Sequence, residues 1–159
     1  MHLRIEYARP EDAAIIAQMV GELLHEIMAL VGTKTFGFQR EETETRARSW
    51  ITDGKYSVLL ARDGIQRDPI GFLALYESYA LYTEGAFGTI PEFYVRPAHR
   101  SKGVGAALIG EVRRIGPLRG WRRIEVTTPP LPQFDRTLAF YQREGFSISG
   151  GRKLKLDLL

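Results

Sequence analysis

Six residues, Arg100, Ser101, Lys102, Gly103, Val104 and Gly105, have the types and spacing of an anion site. Upstream, Ile90, Phe93 and Val95 belong to a β-rich run that Pro97 ends, because its ring fixes φ and removes the N–H a ladder needs. Downstream, apolar residues recur at Val104, Ala107, Leu108, Val112 and Ile115 with the period of one helix face. The six residues therefore lie at a helix N-terminus, where unpaired N–H groups carry roughly half a positive charge. Gly103 and Gly105 remove the Cβ atoms that would hold a phosphate off the backbone, while Arg100 and Lys102 add full charges. A pyrophosphate is the natural occupant.

Spacing separates the phosphate loops that could make such a site. A Walker loop needs GxxxxGK followed by Ser or Thr, a string absent from the sequence. The dinucleotide fingerprint GxGxxG needs a glycine where Leu108 stands. R-x-x-G-x-G remains, preceded by EFYVRPAHR and followed near the C-terminus by LAFYQREGF. By itself the short motif could be only a tight turn with solvated basic residues. Together these stretches resemble the GNAT superfamily of N-acetyltransferases, whose acyl-CoA motif is Arg or Gln, two residues, Gly, one residue, then Gly or Ala.

The resemblance implies an α/β (α+β) fold across residues 1–159 as a single domain. Its mostly antiparallel sheet of about seven strands would be flanked by four helices, with a splayed V between the fourth and fifth strands. Acetyl-CoA would be held by Phe93, Tyr94, Val95, Arg100, Ser101, Lys102, Gly103, Val104, Gly105 and Ala106, and an amine would accept the acetyl group directly. An amine with pKa near 10 arrives protonated, so a base or water must take its proton. Glu92 matches an acid often found at its place in EFYV, although an exposed or salt-bridged strand carboxylate is an equal reading. Backbone N–H groups near Tyr94 or Val95 would meet the developing oxyanion. Tyr141 takes the position of the family's frequent general acid; its phenol, pKa about 10, can protonate a thiolate of about 8.5. An ordinary core aromatic beside Phe140 is the other reading. Phe134 and Thr137 depart from the family pattern, standing where many members carry Asn and Ala.

The elements that must position these residues follow in order. A strand over 3–8 precedes a helix opened by Pro10, with Ile16, Val20, Leu23, Ile27 and Val31 as its buried stripe, His25 on the polar face and Gly32 as its stop. After GTKTFGFQ, in which Phe36 and Phe38 form a tuck or part of an acceptor pocket, an acidic run opens a second helix with i,i+4 pairs Glu42–Arg46 and Glu44–Arg48. Strands over 56–62, 70–79 and 87–95 make a meander whose third member carries Pro91, the mark of an edge or bulge. The central helix, a strand over 123–128, a proline-rich loop and a short helix capped by Asp135 and ended by Gly145 come next. Strands over 146–149 and 152–158 close the chain as a Gly150-Gly151 hairpin. Tyr76, Tyr79, Tyr82, Glu77 and Glu84 could line an amine site or could be strand faces and a turn.

Composition bounds the function. The 159 residues are 44% hydrophobic, enough for one core, and contain no cysteine, so neither a disulfide framework, a zinc ribbon nor a thiol acyl-enzyme is open to the chain. No metal site is expected. Without an apolar run of membrane-spanning length or a signal segment, the expectation is a cytoplasmic protein with no membrane partner. Net charge is +3, and the densest basic cluster, RRIGPLRGWRR, reads as a solvated helix end with Arg113 and Arg114 in the last turn rather than a nucleic-acid site. A small-molecule amine is preferred to a protein amine as acceptor, with the protein a monomer or homodimer. A non-catalytic acyl-CoA-sensing module is the alternative.

Overall fold

The computed structural model describes residues 1–64 and 68–159. Strand β1 (Leu3–Tyr7) leads through a 3-10 turn at Pro10–Asp12 into helix α1 (Ala13–Val31). There the Asp12 carboxylate accepts the Arg9 N–H at 2.8 Å. Gly32, at φ +82°, closes α1 by donating its N–H to the Met28 carbonyl at 2.8 Å. Helix α2 (Arg40–Thr52) carries both expected i,i+4 pairs, Glu42–Arg46 at 3.9 Å and Glu44–Arg48 at 3.1 Å. Of the two loop phenylalanines, Phe38 is the tuck: its ring lies where a Cβ on Gly21 would be, within 3 Å, while Phe36 is exposed.

Strands β2 (Ser57–Asp63) and β3 (Gly71–Ser78) pair antiparallel, and β1 joins the outer edge of β2. The run predicted as one strand over 87–95 is two, β4 (Phe87–Ile90) and β5 (Phe93–Val95), and both pair with β3. Register gives the reason. Tyr76 faces Thr89 and Leu73 faces Phe93, so three steps along β3 match four along its partner. Ile90 continues the first register and Glu92, whose carbonyl accepts the Ala74 N–H at 2.9 Å, already belongs to the second. Pro91 is thus the unmatched residue of a one-residue bulge, where its missing N–H costs no ladder bond.

Helix α3 (Val104–Leu118) crosses back to β6 (Ile124–Val126), which pairs parallel with β4, and α4 (Asp135–Arg143) follows. The sheet therefore has six strands among the described residues, one fewer than expected, in a mostly antiparallel α/β arrangement with four helices. The difference lies at the C-terminus. Residues 146–159 form no strand, although Gly150 and Gly151 have the positive φ of a hairpin turn, because a two-stranded hairpin without a sheet to join is marginal in water.

Two apolar clusters sandwich the sheet. Ile16 and Met19 of α1 pack with Val58, Leu60, Phe72, Ala74 and Tyr94 on one face; Val104, Leu108, Ile109 and Val112 of α3 pack with Leu59, Leu73, Leu75 and Ile90 on the other. Two expectations are corrected here. The helix spanning Pro10–Val31, with mean hydropathy 1.6 over its most apolar window, is by length and composition sufficient to cross a membrane, contrary to the reading that no such run exists. In this fold its Ile16 and Met19 are covered by the sheet. Secondly, α3 continues to Leu118, so Arg113 and Arg114 precede its last turn. They bind acidic or carbonyl partners instead, Arg113 the Glu144 carbonyl and Arg114 Glu111, while Arg119 sits over the Trp121 and Tyr7 rings.

Candidate active site

The turn before α3 is built from left-handed backbone. Ser101 has φ +62° and Gly103, the residue preceding the helix, φ +84°, a value that costs a residue with a Cβ roughly 1–2 kcal/mol. The first backbone bond of α3 runs from Ala107 N–H to the Gly103 carbonyl at 3.0 Å, and no side chain caps the helix. The N–H groups of Val104, Gly105 and Ala106 consequently lack a helical acceptor, and space within 4 Å of a Cβ built on Gly103 is open. A diphosphate fits this end: donors converge, nothing blocks them and no acid stands in the first turn.

The two motif glycines differ in purpose. A Cβ on Gly105 would meet Phe140 at 3.1 Å and Phe93 at 3.6 Å, so this glycine lets two rings close on the helix rather than clearing room for phosphate. Arg100 is likewise engaged with protein. Its guanidinium donates to Glu26 at 2.7 Å and to the Val95 carbonyl at 2.8 Å, over the Tyr94 ring at 5.6 Å. That ties the turn to α1 and to β5. Ser101 and Lys102 are exposed, Val104 is buried, and Ala106 is half-buried in the first helical turn.

Beside this turn the sheet splits. β6 pairs with β4 at Gly88, Thr89 and Ile90 and does not pair with β5. On β5, the Glu92 carbonyl and the Arg96 N–H bond toward β3, to Ala74 N–H and the Ile70 carbonyl, both at 2.9 Å. Strand alternation then turns the Phe93 and Val95 N–H groups to the opposite edge, into the gap. Of the two backbone positions expected to face an oxyanion, the geometry favours Val95. Tyr94 directs its N–H toward Phe72, and its buried ring reaches α1, where the hydroxyl donates to Glu22 at 3.2 Å and burial pushes the phenol up to about 12.

Glu92 lies on the α1/α2 side. Its two carboxylate oxygens each accept from the Tyr56 hydroxyl at 3.4 Å, and Tyr56 stacks on Tyr76 with ring centres 5.9 Å apart and meets Trp50 at 5.0 Å. Burial pushes the Glu92 carboxyl up to about 7, against the opposing pull of the Tyr56 hydrogen bond. The Tyr56 phenol is itself raised, first by burial and then by the neighbouring carboxylate. Tyr141 lies on the other side, its ring buried among Phe140, Phe146 and Phe93 at 5.6, 5.3 and 6.1 Å. Burial raises its phenol, which keeps the proton on. No hydrogen bond engages the Tyr141 hydroxyl, and no unbonded buried polar side-chain atom exists among the described residues, so this oxygen reaches accessible space.

Glu92 and Tyr141 thus flank β5 from opposite faces and do not touch. Trp50 and Tyr56, the companions of Glu92, escape sequence reasoning because one sits on a polar helix and the other just before a strand, with no spacing that links them. Of the aromatic and acidic residues named as a possible acceptor lining, only Tyr76 joins this group. Tyr79 and Tyr82 are exposed, and Glu77 accepts from Trp121 at 2.7 Å and from Tyr79 at 2.5 Å. Phe134 is buried immediately before α4, Asp135 is the first residue of that helix rather than its cap, and Thr137 lies in its first turn.

Residues 24–146 match the acetyltransferase (GNAT) family. No curated protein matches the sequence. Among solved structures, an integron cassette protein from the Cole Harbour salt marsh metagenome superposes with a TM-score of 0.78 at 22% identity, covering 98% of this chain and 90% of the other. An aminoglycoside acetyltransferase from an uncultured soil metagenomic sample gives 0.73 at 19%, covering 99% and 96%. A predicted acetyltransferase from Clostridium acetobutylicum, solved with acetyl-CoA, gives 0.76 at 16%, covering 98% and 96%. At such identities these likenesses establish the fold, while the family match runs from within α1 to just beyond the last helix; this chain belongs to the GNAT acetyltransferase family.

Proposed function

We propose that this protein is an acetyl-CoA-dependent N-acetyltransferase that passes the acetyl group directly to a small-molecule amine. The observation that carries the reading is the gap between β5 and the chain beyond β6, bordered by the uncapped start of α3. Acetyl-CoA, when bound, supplies an activated thioester. The open N–H groups of Val104, Gly105 and Ala106, with Lys102 and the backbone of Ser101 and Gly103, hold its diphosphate. Arg100 contributes by fixing the turn to Glu26 and to the Val95 carbonyl. Phe93 and Val95 turn their backbone N–H groups into the gap, Tyr94 between them bonds toward β3, and the Val95 N–H meets the oxygen on which charge develops.

Glu92 is the general base. Its carboxyl, raised to about 7, is matched to taking a proton near neutral pH, which a surface glutamate does poorly. Trp50, Tyr56 and Tyr76 offer aromatic faces beside that carboxylate, a setting that attracts a cationic amine. Tyr141, held neutral by burial, gives its proton to the departing thiolate. Fold neighbours include an aminoglycoside acetyltransferase crystallised with sisomicin and a ribosomal-protein-alanine N-acetyltransferase, so the preference for a small amine rests on the aromatic setting of Glu92 and not on the neighbours. The test is an amine panel followed by CoA release, run beside thermal unfolding with CoA. A folded protein that gains no melting temperature at millimolar CoA overturns the cofactor assignment; a CoA-stabilised protein that acetylates no amine overturns the activity and leaves the sensing module.

A further inference from the structure

Tyr56 comes to Glu92 from the turn between α2 and β2. After α2 the chain reverses at Gly54, φ +73°, and the N–H groups of Lys55 and Tyr56 both donate to the Trp50 carbonyl, at 2.9 and 3.2 Å. That turn sets the Tyr56 ring against two others, Trp50 at 5.0 Å and Tyr76 at 5.9 Å, the second nearly parallel at 10°. Held by two rings and by its own backbone, the phenol keeps its hydroxyl 3.4 Å from each Glu92 oxygen. Burial and the neighbouring carboxylate both hold the proton on this phenol, so it remains a donor.

The other titratable and charged groups on this side are engaged elsewhere. Helix α1 brings Glu22, bonded to Tyr94 and Arg96, and Glu26, bonded to Arg100. On the α2 face that carries Trp50, Glu42 and Arg46 pair with each other at 3.9 Å. Strand β3 brings Tyr76, whose ring lies on Tyr56. Among the described residues, the Tyr56 hydroxyl is thus the one donor that reaches the Glu92 side chain. A hydroxyl shared by two oxygens bonds more strongly to the ionised carboxylate, which offers lone pairs on both, than to the neutral acid, where one oxygen carries the proton.

We propose that Tyr56 is the positioning residue of the general base: its hydroxyl bridges the two Glu92 oxygens, orients the carboxyl group beside the aromatic wall and favours the ionised form that accepts the amine proton. The inference rests on Glu92 serving as that base. Burial alone would carry the carboxyl higher still, and the phenol draws it back to about 7, where much of it is ready to accept a proton at neutral pH. Because Tyr56 acts only through Glu92, its signature is the pH at which activity rises.

Tyr56→Phe keeps the ring and its stacking and removes one oxygen. One acceptor amine is used for every protein, so that the titration of the amine itself is common to all profiles. The acid limb of kcat/KM should then move from near pH 7 upward by about one pH unit in this variant. The resulting loss is roughly tenfold at pH 6 and close to none at pH 9. The carbon-13 resonance of the Glu92 carboxyl, identified by its absence from Glu92→Gln, should show the same upward move with no substrate present. A residue that only fills space would lower the whole profile and leave both midpoints in place. A limb that Glu92→Gln removes and Tyr56→Phe leaves at its original pH overturns the role of Tyr56 alone. A limb that survives Glu92→Gln overturns the base reading and this inference with it.

Discussion

On the α1/α2 side of β5 the candidate site consists of groups that titrate or stack: Glu92 under the Tyr56 hydroxyl, with Trp50 and Tyr76 completing the aromatic wall. On the α3/α4 side, three rings enclose Tyr141 and the first turn of α3 presents uncapped N–H groups. Burial acts on both sides with one sign and two results. It lifts the Glu92 carboxyl into the physiological range, which suits the proposed base, whereas it lifts the Tyr141 phenol further from that range, which suits the proposed acid. The proposed direct transfer needs that asymmetry, because one side must accept a proton while the other gives one.

Glu92→Gln should break the comparison hardest. We expect kcat/KM to fall roughly 10²–10⁴-fold, with the acid limb near pH 7 lost from the remaining profile. A retained limb would assign the proton to water or another acid. Tyr141→Phe should lower kcat by a similar or smaller factor, smaller if thiolate departure is not rate-limiting, with CoA affinity and melting temperature near wild type. Among the described residues its hydroxyl makes no hydrogen bond, so a large stability loss would contradict the structure.

Stability against pH sharpens the same contrast. The Glu92 carboxyl is raised from 4.5 to about 7, so the folded state binds its proton more tightly than the unfolded state. Its contribution to stability is full below pH 4.5 and is lost as pH rises through 7, a change of up to ~3 kcal/mol. Denaturant unfolding of wild type and Glu92→Gln across that window should diverge accordingly, with the variant gaining relative to wild type toward pH 8. Gly105→Ala comes next, at about 1 kcal/mol, since the new methyl must displace the Phe140 ring by a few tenths of an ångström. Smallest is Glu26→Gln, which loosens an exposed pair with Arg100 and should cost under about 1 kcal/mol in chemical denaturation.

Much of this architecture is legible in the sequence because it depends on local punctuation. Pro91 announces the bulge, Gly32 and Gly145 end their helices, and R-x-x-G-x-G marks the start of α3. What local patterns do not carry is direction. Nothing in the spacing of Gly103 and Gly105 says that one looks to open space and the other into two phenylalanine rings. Nor does it say that the Arg100 charge is taken up by an acid of α1, 74 residues away. Trp50, Tyr56 and Glu92 meet only through tertiary packing. The C-terminal alternation predicts a strand, yet residues 146–159 form none, because a period of two says which side chains share a face and not whether a ladder receives them.

Pro91 also acts as a parity switch. Before it, the even-numbered side chain Ile90 points to α3; after it, the even-numbered Glu92 and Tyr94 point to α1, and the odd Phe93 and Val95 take over the α3 side. Regular pairing through Pro91, with no bulge, would carry Glu92 across the sheet, away from Tyr56, and drive Phe93 into the α1 core, whereas deleting Pro91 would leave Ile90 and Glu92 as consecutive residues on their present sides. The side on which the acid stands therefore depends on the extra residue being absorbed as a bulge, which lets Ile90 and Glu92, two apart in number, face opposite ways.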